Sequence, residues 1–412
     1  MRIAFTIALA SALLCAAPME AQKESKRREP PKTKKVETIS RRIYEALQGV
    51  QKAMEEENWA SAETKLNAIL ARKKLNDHEK AQVHQTFGYL YSSKENYKQA
   101  IRSFRKAIEL EGLPEAAQLN TQFNLGQLYM LTGQYQRGIQ TLLDWFKKVK
   151  DPAPNAYMLL ANAYAQKEDY RTAWKWAKQG LDRMVEPREP WMRLGAQLNL
   201  ALESYRSARY WLERLVEDWP RESYLKQLTA VYSQLGQPRR ALVATELAQR
   251  EGYLNESKEL VHLAQLYLFN EVPYKAGMLM EEAIQQDQVD SNKDNYELLA
   301  NAFTMSRDYD RALSPLGKAA SLSKDGKLYI RLGQIHMDAE RWAQAEKAIE
   351  RGIKRGKIKS TGEAYLLLGI TQFQRDHFDD ARRSFERCAN FKKSRKSCLS
   401  WQRTLEVRSQ FL

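Results

Sequence analysis

Histidine, cysteine and paired carboxylates are the side chains in this 412-residue chain that could carry chemistry. The histidines are His78, His84, His262, His336 and His377. No two of them, with a cysteine or carboxylate, fall at the spacing of a metal site. Carboxylate pairs such as Glu281-Glu282 and Asp379-Asp380 could act as acid and base only if a cleft separated their environments. They sit in helical segments full of Lys and Arg, so they read as solvated faces. There is no G-x-S-x-G and no phosphate-binding Gly-Lys loop. The sequence therefore predicts no enzyme and no cofactor. Of the three cysteines, Cys388 and Cys398, ten residues apart, are the two outside the first 21 residues. In an oxidising compartment they could form a disulfide.

A different chemistry recurs at a fixed interval. Gln51, Gln127, Asn162, Gln197, Gln265, Asn301 and Gln334 are side-chain amides at matching places in successive segments, with Tyr89, Ala230 and Ile370 filling the same place elsewhere. An amide offers both a donor and an acceptor. A ladder of them can hydrogen-bond the backbone of an extended polypeptide whatever its side chains.

These residues are aligned by a repeat. Ala62, Ala100, Gly138, Ala173, Ala208, Ala241, Ala276, Ala312, Ala345 and Ala381 follow one another at intervals of 33 to 38 residues. Three residues before each stands Tyr, Trp or Phe, except for Pro238 and Pro273. Small residues such as Gly88, Gly126, Ala161, Gly333 and Gly369 fill the place twelve before. Apolar residues recur at helical spacing on both sides of a short turn, as around Thr132-Gly133-Gln134. Each unit is thus two antiparallel helices in close approach. One hairpin cannot bury both faces, so the units must stack as a solenoid.

The period, with "LGQLY", a Tyr after the turn and then Ala, resembles the tetratricopeptide repeat (TPR) family over about 43–388. The resemblance implies an all-α solenoid of about ten helix-turn-helix repeats in a right-handed superhelix. It also implies that the amide place, with Gln51, Tyr89, Gln127, Asn162, Gln197, Gln265, Asn301 and Gln334, looks into a concave groove that binds partners. The fifth unit departs from the pattern, with Asn199 where its neighbours carry Tyr129 or Tyr164; local bends are expected there and at Pro238 and Pro273. Trp174, Trp176, Trp191, Trp211 and Trp219 crowd the fourth and fifth units, mostly as packing; an exposed one would anchor a partner.

The ends of the chain differ from its middle. Residues 1–21 hold Arg2, the 15-residue apolar run Ile3–Ala17 and then small residues, a signal-peptide pattern. Cleavage after Ala21 would leave Gln22 first; Cys15 offers lipidation as the alternative, but Leu14 stands where a small residue is the rule. Residues 22–42 carry nine basic and three acidic side chains and Pro30-Pro31, which reads as a basic disordered linker. Residues 389–412 read as a basic capping helix, held to the last repeat if Cys388 bonds Cys398. Of the net +15, the linker holds +6 and 387–412 another +6. A groove with so little net charge does not suit nucleic acid; the basic ends suit peripheral contact with an anionic envelope surface or an acidic partner.

The layout of signal, basic Pro-containing linker and bare repeats resembles the periplasmic TPR proteins that accompany TonB–ExbB–ExbD systems of Gram-negative bacteria. That implies a periplasmic scaffold in a TonB-type energy-transducing transport system. The alternatives are a scaffold for other envelope assembly, such as peptidoglycan, polysaccharide export or outer-membrane protein assembly, or an enzyme subunit whose chemistry lies in another chain.

Overall fold

The computed structural model describes residues 38–409. The expected signal peptide and almost all of the expected linker lie outside the described residues. All regular structure among the described residues is helical. No described helix is long and apolar enough to cross a membrane.

The helices fall into two compact units that divide between Lys150 and Asp151. The first holds α1 (Arg41–Glu55), α2 (Trp59–Leu70), α3 (Asp77–Ser93), α4 (Tyr97–Glu109), α5 (Glu115–Leu131) and α6 (Tyr135–Phe146). The second begins with α7 (Pro154–Gln166), α8 (Tyr170–Asp182), α9 (Glu189–Ala201), α10 (Tyr205–Asp218), α11 (Glu222–Gln234), α12 (Pro238–Arg250), α13 (Ser257–Phe269) and α14 (Pro273–Gln285). It continues with α15 (Lys293–Met305), α16 (Tyr309–Leu322), α17 (Lys327–Asp338), α18 (Trp342–Arg355), α19 (Thr361–Gln374), α20 (Phe378–Ala389) and α21 (Arg395–Ser409). Within each unit, every odd helix from α1 to α19 packs against the helix that follows it, and neighbouring hairpins pack in turn.

Four hairpins close by the same lock. A glycine of the first helix receives a large side chain from four residues past the aligned Ala or Gly of the second. A Cβ on Gly126 would lie 2.7 Å from Leu142, and one on Gly369 would lie 2.5 Å from Phe385. Gly88 meets Phe104 and Gly333 meets Ile349 in the same way. Phe104, Leu142, Ile349 and Phe385 are fully buried. The aligned alanines are all wholly buried as well.

Each turn is also the same. Its central residue is left-handed in all ten hairpins: Glu57, Glu95, Gly133, Glu168, Glu203, Gly236, Glu271, Arg307, Glu340 and Asp376. The next N–H bonds a carbonyl five residues back at 2.8–3.0 Å, as Asn96 does to Tyr91. This Schellman closure ends the first helix. The residue that donates it then caps the second helix, and Asn58, Asn96, Asp169 and Asp308 do so with their side chains.

Polar clamps join successive hairpins. Tyr91 donates to Glu63 at 2.9 Å, Tyr232 to Glu213 at 2.8 Å and Tyr267 to Glu246 at 2.7 Å. A cation reaches each carboxylate: Lys94 to Glu63, Arg240 to Glu213 and Lys275 to Glu246. Glu281 takes Arg311, and Glu346 takes Arg375 and Gln372. Hydrogen bonds from Lys94 and Tyr91 hold the Glu63 carboxyl below the usual carboxylate range. Burial alone would raise Glu246, but the bonds from Lys275 and Tyr267 outweigh it and hold that carboxyl low. Burial, with the bond to Glu213, pushes Tyr232 up to about 12.

The departures expected at the fifth to seventh units are absorbed. Asn199 is buried, and its Nδ2 donates to the Gly195 carbonyl at 2.8 Å. Pro238 and Pro273 take the first position of α12 and α14, where the missing N–H is not needed. α21 closes the second unit: Leu405 is buried, and Trp401 stacks on Phe385 at 6.0 Å. A disulfide joins Cys388 on α20 to Cys398 on α21, Cα atoms 6.0 Å apart.

Candidate functional site

The amide place falls on the first helix of each hairpin, one residue past the buried small residue, so it points away from the lock. Gln51, Asn162, Gln265 and Gln334 are exposed, while Gln127, Gln197 and Asn301 are half-buried. Tyr89 is 39% exposed. The column belongs to two faces. Gln51, Tyr89 and Gln127 lie on α1, α3 and α5 of the first unit. Asn162, Gln197, Gln265, Asn301 and Gln334 lie on α7, α9, α13, α15 and α17 of the second, interrupted by Ala230 on α11. Ile370 on α19 is half-buried and packs inward.

Side-chain bonds show that these places adjoin across hairpins. Asn124 of α5 donates to the Tyr89 hydroxyl of α3 at 3.2 Å. Arg331 of α17 donates to the Asn301 carbonyl oxygen of α15. Both bonds link the place three before an amide to the amide place of the preceding hairpin. The amides are not equally available. Asn162 donates to the Met158 carbonyl of its own helix at 3.0 Å, and Gln51 to Glu55 at 3.0 Å. Gln127, Gln197, Gln265 and Gln334 make no side-chain hydrogen bond among the described residues.

A second kind of residue completes the face, and the sequence reading missed it. One turn after three of the amides stand exposed apolar side chains: Leu131 after Gln127, Phe269 after Gln265 and Met305 after Asn301. Residues four apart share a helix face. Phe269 is 73% exposed, the most of any aromatic side chain in the described core helices. Its signal was in the sequence, because that place is Gln, Glu, Asp, Ser or Ala in seven of the other hairpins and Leu131 or Met305 in the remaining two. Beside Gln265, an open depression of about 690 Å³ lies between α13 and α15, lined by Lys258, Val261, His262, Asn292 and Asn295.

The two faces differ in charge. Around Tyr89 and Gln127 the neighbours on the same face are Gln82, Thr86, Asn120 and Asn124, all neutral. The second unit's face mixes Arg193, Lys226, His262, Glu297 and Arg331 among its amides. Such surfaces present hydrogen-bonding and apolar side chains; no group of three metal-ligating side chains exists among the described residues.

The five tryptophans are packing. Trp211 is buried, and Trp174, Trp176, Trp191 and Trp219 are half-buried against the same core. None of the five is exposed, whereas Phe269 is. His78 is buried, its Nδ1 2.6 Å from the Gly112 carbonyl oxygen. Burial lowers the His336 pKa, as fits a near-core residue. Asp379 and Asp380 pair with Arg382 and Arg383, and Glu281 with Arg311.

Two family models, both described as tetratricopeptide repeat, match residues 330–392 and 81–112. No curated protein matches the chain. Among solved structures, the MamA protein is 18% identical, covering 41% of this chain and 90% of its own, with a TM-score of 0.35. YrrB, described as a TPR protein with an unusual peptide-binding site, is 14% identical over 47% of this chain and 97% of its own, with a TM-score of 0.37. The C-terminal part of a TPR repeat-containing protein from Cytophaga hutchinsonii is 14% identical over 68% of this chain and 98% of its own, with a TM-score of 0.34. Repeats of this family generally serve as non-catalytic scaffolds for protein–protein interaction. With family models matching 81–112 and 330–392, and one left-handed turn closing all ten hairpins, the chain carries tetratricopeptide repeats.

Proposed function

We propose that the protein is a periplasmic scaffold that holds protein partners as extended segments against its amide faces, as an accessory component of a TonB-type energy-transducing transport system. The observation that carries the binding mode is the pairing of the unengaged amides Gln127 and Gln265 with the exposed apolar side chains Leu131 and Phe269 one turn on. An extended segment would give its backbone to the amides and an apolar side chain to Phe269, Met305 or Leu131. Such a site reads the backbone first and side-chain sequence second. The compartment and the partner rest on the layout of the chain: the signal pattern of 1–21, the basic linker and the repeats that follow.

Affinity purification of the tagged full chain from envelope extracts after mild crosslinking tests the assignment. Enrichment of TonB, ExbB or ExbD homologues supports it. Enrichment of peptidoglycan, polysaccharide-export or outer-membrane assembly proteins instead would select the other envelope role. Recovery of the tagged chain in the cytoplasm with Met1 intact would overturn the compartment.

A further inference from the structure

The last two hairpin connectors of the second unit carry a charge that the repeat does not need. Residues 356–360, "GKIKS", and 390–396, "NFKKSRK", the second with the first two residues of α21, hold six cations and no acid in twelve residues. Among the earlier connectors between hairpins of the unit, 251–256 and 286–292 each sum to −2, 323–326 sums to zero, and 183–188 and 219–221 each sum to +1. The basicity is therefore local.

The fold brings the two basic connectors together. Gly362, at the head of α19, abuts the second: a Cβ there would lie 2.5 Å from the Phe391 Cβ and would strike Ser394. Tyr365 of α19 stacks on Phe391, ring centroids 6.4 Å apart. Lys357, Lys359, Lys392, Lys393, Arg395 and Lys396 are all exposed. None of the six is in an ion pair among the described residues; Arg395 gives its Nε to the Ala389 carbonyl at 2.8 Å. The nearest carboxylates in the chain, Glu363 and Glu386, are exposed and too few to balance them. Two large apolar side chains stand beside the cations: Phe391 is 40% exposed and Leu399 is 43% exposed. Leu399 shares a face of α21 with Arg395 and Lys396.

We propose that this end of the second unit docks on an anionic lipid surface. Five of the six cations are lysines, point charges on flexible stems that suit a diffuse anionic plane; forked arginines would be expected for carboxylate or nucleotide recognition. Exposed Phe391 and Leu399 supply the apolar contact that interfacial binding adds to charge. Each lysine or arginine near an anionic leaflet strengthens binding by about fivefold. The attraction should weaken with salt, since the charges are solvent-exposed. This docking is independent of which protein occupies the amide faces.

Co-sedimentation of the purified full chain with vesicles tests it. Binding is expected to phosphatidylcholine vesicles containing about a third phosphatidylglycerol, but not to phosphatidylcholine alone, and to fall steeply in high salt. The variant K357Q/K359Q/K392Q/K393Q should bind at least tenfold more weakly at unchanged helicity, and the matching four-fold Lys→Arg variant should keep most of the binding. Neutralising Lys32, Lys34 and Lys35 in the basic segment before α1 should leave most of it. No binding to the anionic vesicles, equal binding by the four-fold Gln variant, or loss that follows the 32–35 substitutions would each overturn the proposal. So would tighter binding to polyglutamate or to single-stranded DNA than to the vesicles, which would assign the patch to an acidic polymer.

Discussion

At the scale of single residues, the turn position carries the strongest signal. Seven of its ten occupants are Glu or Asp held at φ between 52 and 60°, or 61° at Glu271. A left-handed L-residue costs about 1–2 kcal/mol relative to the right-handed region, and glycine pays almost none of it. Glycine loses more freedom on folding, which returns part of the gain. Glu95, Glu168, Glu203 and Glu271 are exposed and make no side-chain bond among the described residues. Changing all four to Gly should therefore stabilise the protein by about 2 kcal/mol in total, read as a higher urea midpoint. A lower midpoint would mean that these carboxylates act locally in a way the geometry does not show. Gly133 and Gly236, already at this position, indicate what the turn prefers. The amide column, by contrast, was legible in the sequence only as a list of residue types. That Asn162 and Asn301 are engaged by Met158 and Arg331 could not be read there, because both bonds depend on rotamers and on the neighbouring hairpin.

At the scale of elements, the lock between small and large residues decides whether a hairpin closes. Leu142 fills the space left by Gly126. The variant Gly126→Val should destabilise by about 3 kcal/mol or more, because two buried side chains would compete for one site. Thermal or urea unfolding monitored by circular dichroism checks this, and a near-neutral result would show that α5 and α6 can separate freely. The small residues of this lock were recognised in the sequence; their large partners four residues along the second helix were not, since each partner lies 16 residues away and no periodicity links the two. The inter-hairpin clamps set a pH range. Tyr232 has its folded pKa raised to about 12, so its share of stability is complete below about pH 10 and is lost as pH rises through 12. Glu63 and Glu246 are held below the ordinary value of 4.5, so their share is present above that pH and is lost as pH falls further. Unfolding midpoints across pH 3–12 should therefore be flat in the middle and fall at both ends. Tyr232→Phe should flatten part of the alkaline fall, and an unchanged profile would remove that clamp from the account.

The C-terminal cap belongs to the same scale. Cys388 and Cys398 enclose a short loop, and closing it contributes about 3 kcal/mol in the chain-entropy view. Protein isolated under oxidising conditions and unfolded without reductant should show no free thiol once residues 1–21 are gone. Two thiols per chain would contradict the staple. Reduction should loosen α21 first, seen as lost amide protection around Trp401 and Leu405 while α7 to α16 keep theirs.

At the scale of the molecule, the repeat made the architecture legible. Alanines at 33 to 38 residues gave the hairpins, their turns and the cap, because each helix repeats the same packing problem. The division at Lys150–Asp151 was not legible: the connector "KKVKDPA" has the same texture as several others. Phe269 stood out at its place in the repeat but was missed, because the repeat pattern says which residues a core needs and is silent on the faces it leaves free. The central claim concerns those faces, and a photo-crosslinking amino acid tests it most directly. It would be placed singly at Gln127 and Gln265 on the amide faces, and at Lys175 on the exposed side of α8 as a control. The account predicts that envelope partners crosslink through Gln127 or Gln265 and not through Lys175, and that Gln127→Ala, Gln197→Ala and Gln265→Ala together reduce capture while leaving the urea midpoint within about 0.5 kcal/mol. Crosslinks from Lys175 alone, or full capture by the triple variant, would contradict it.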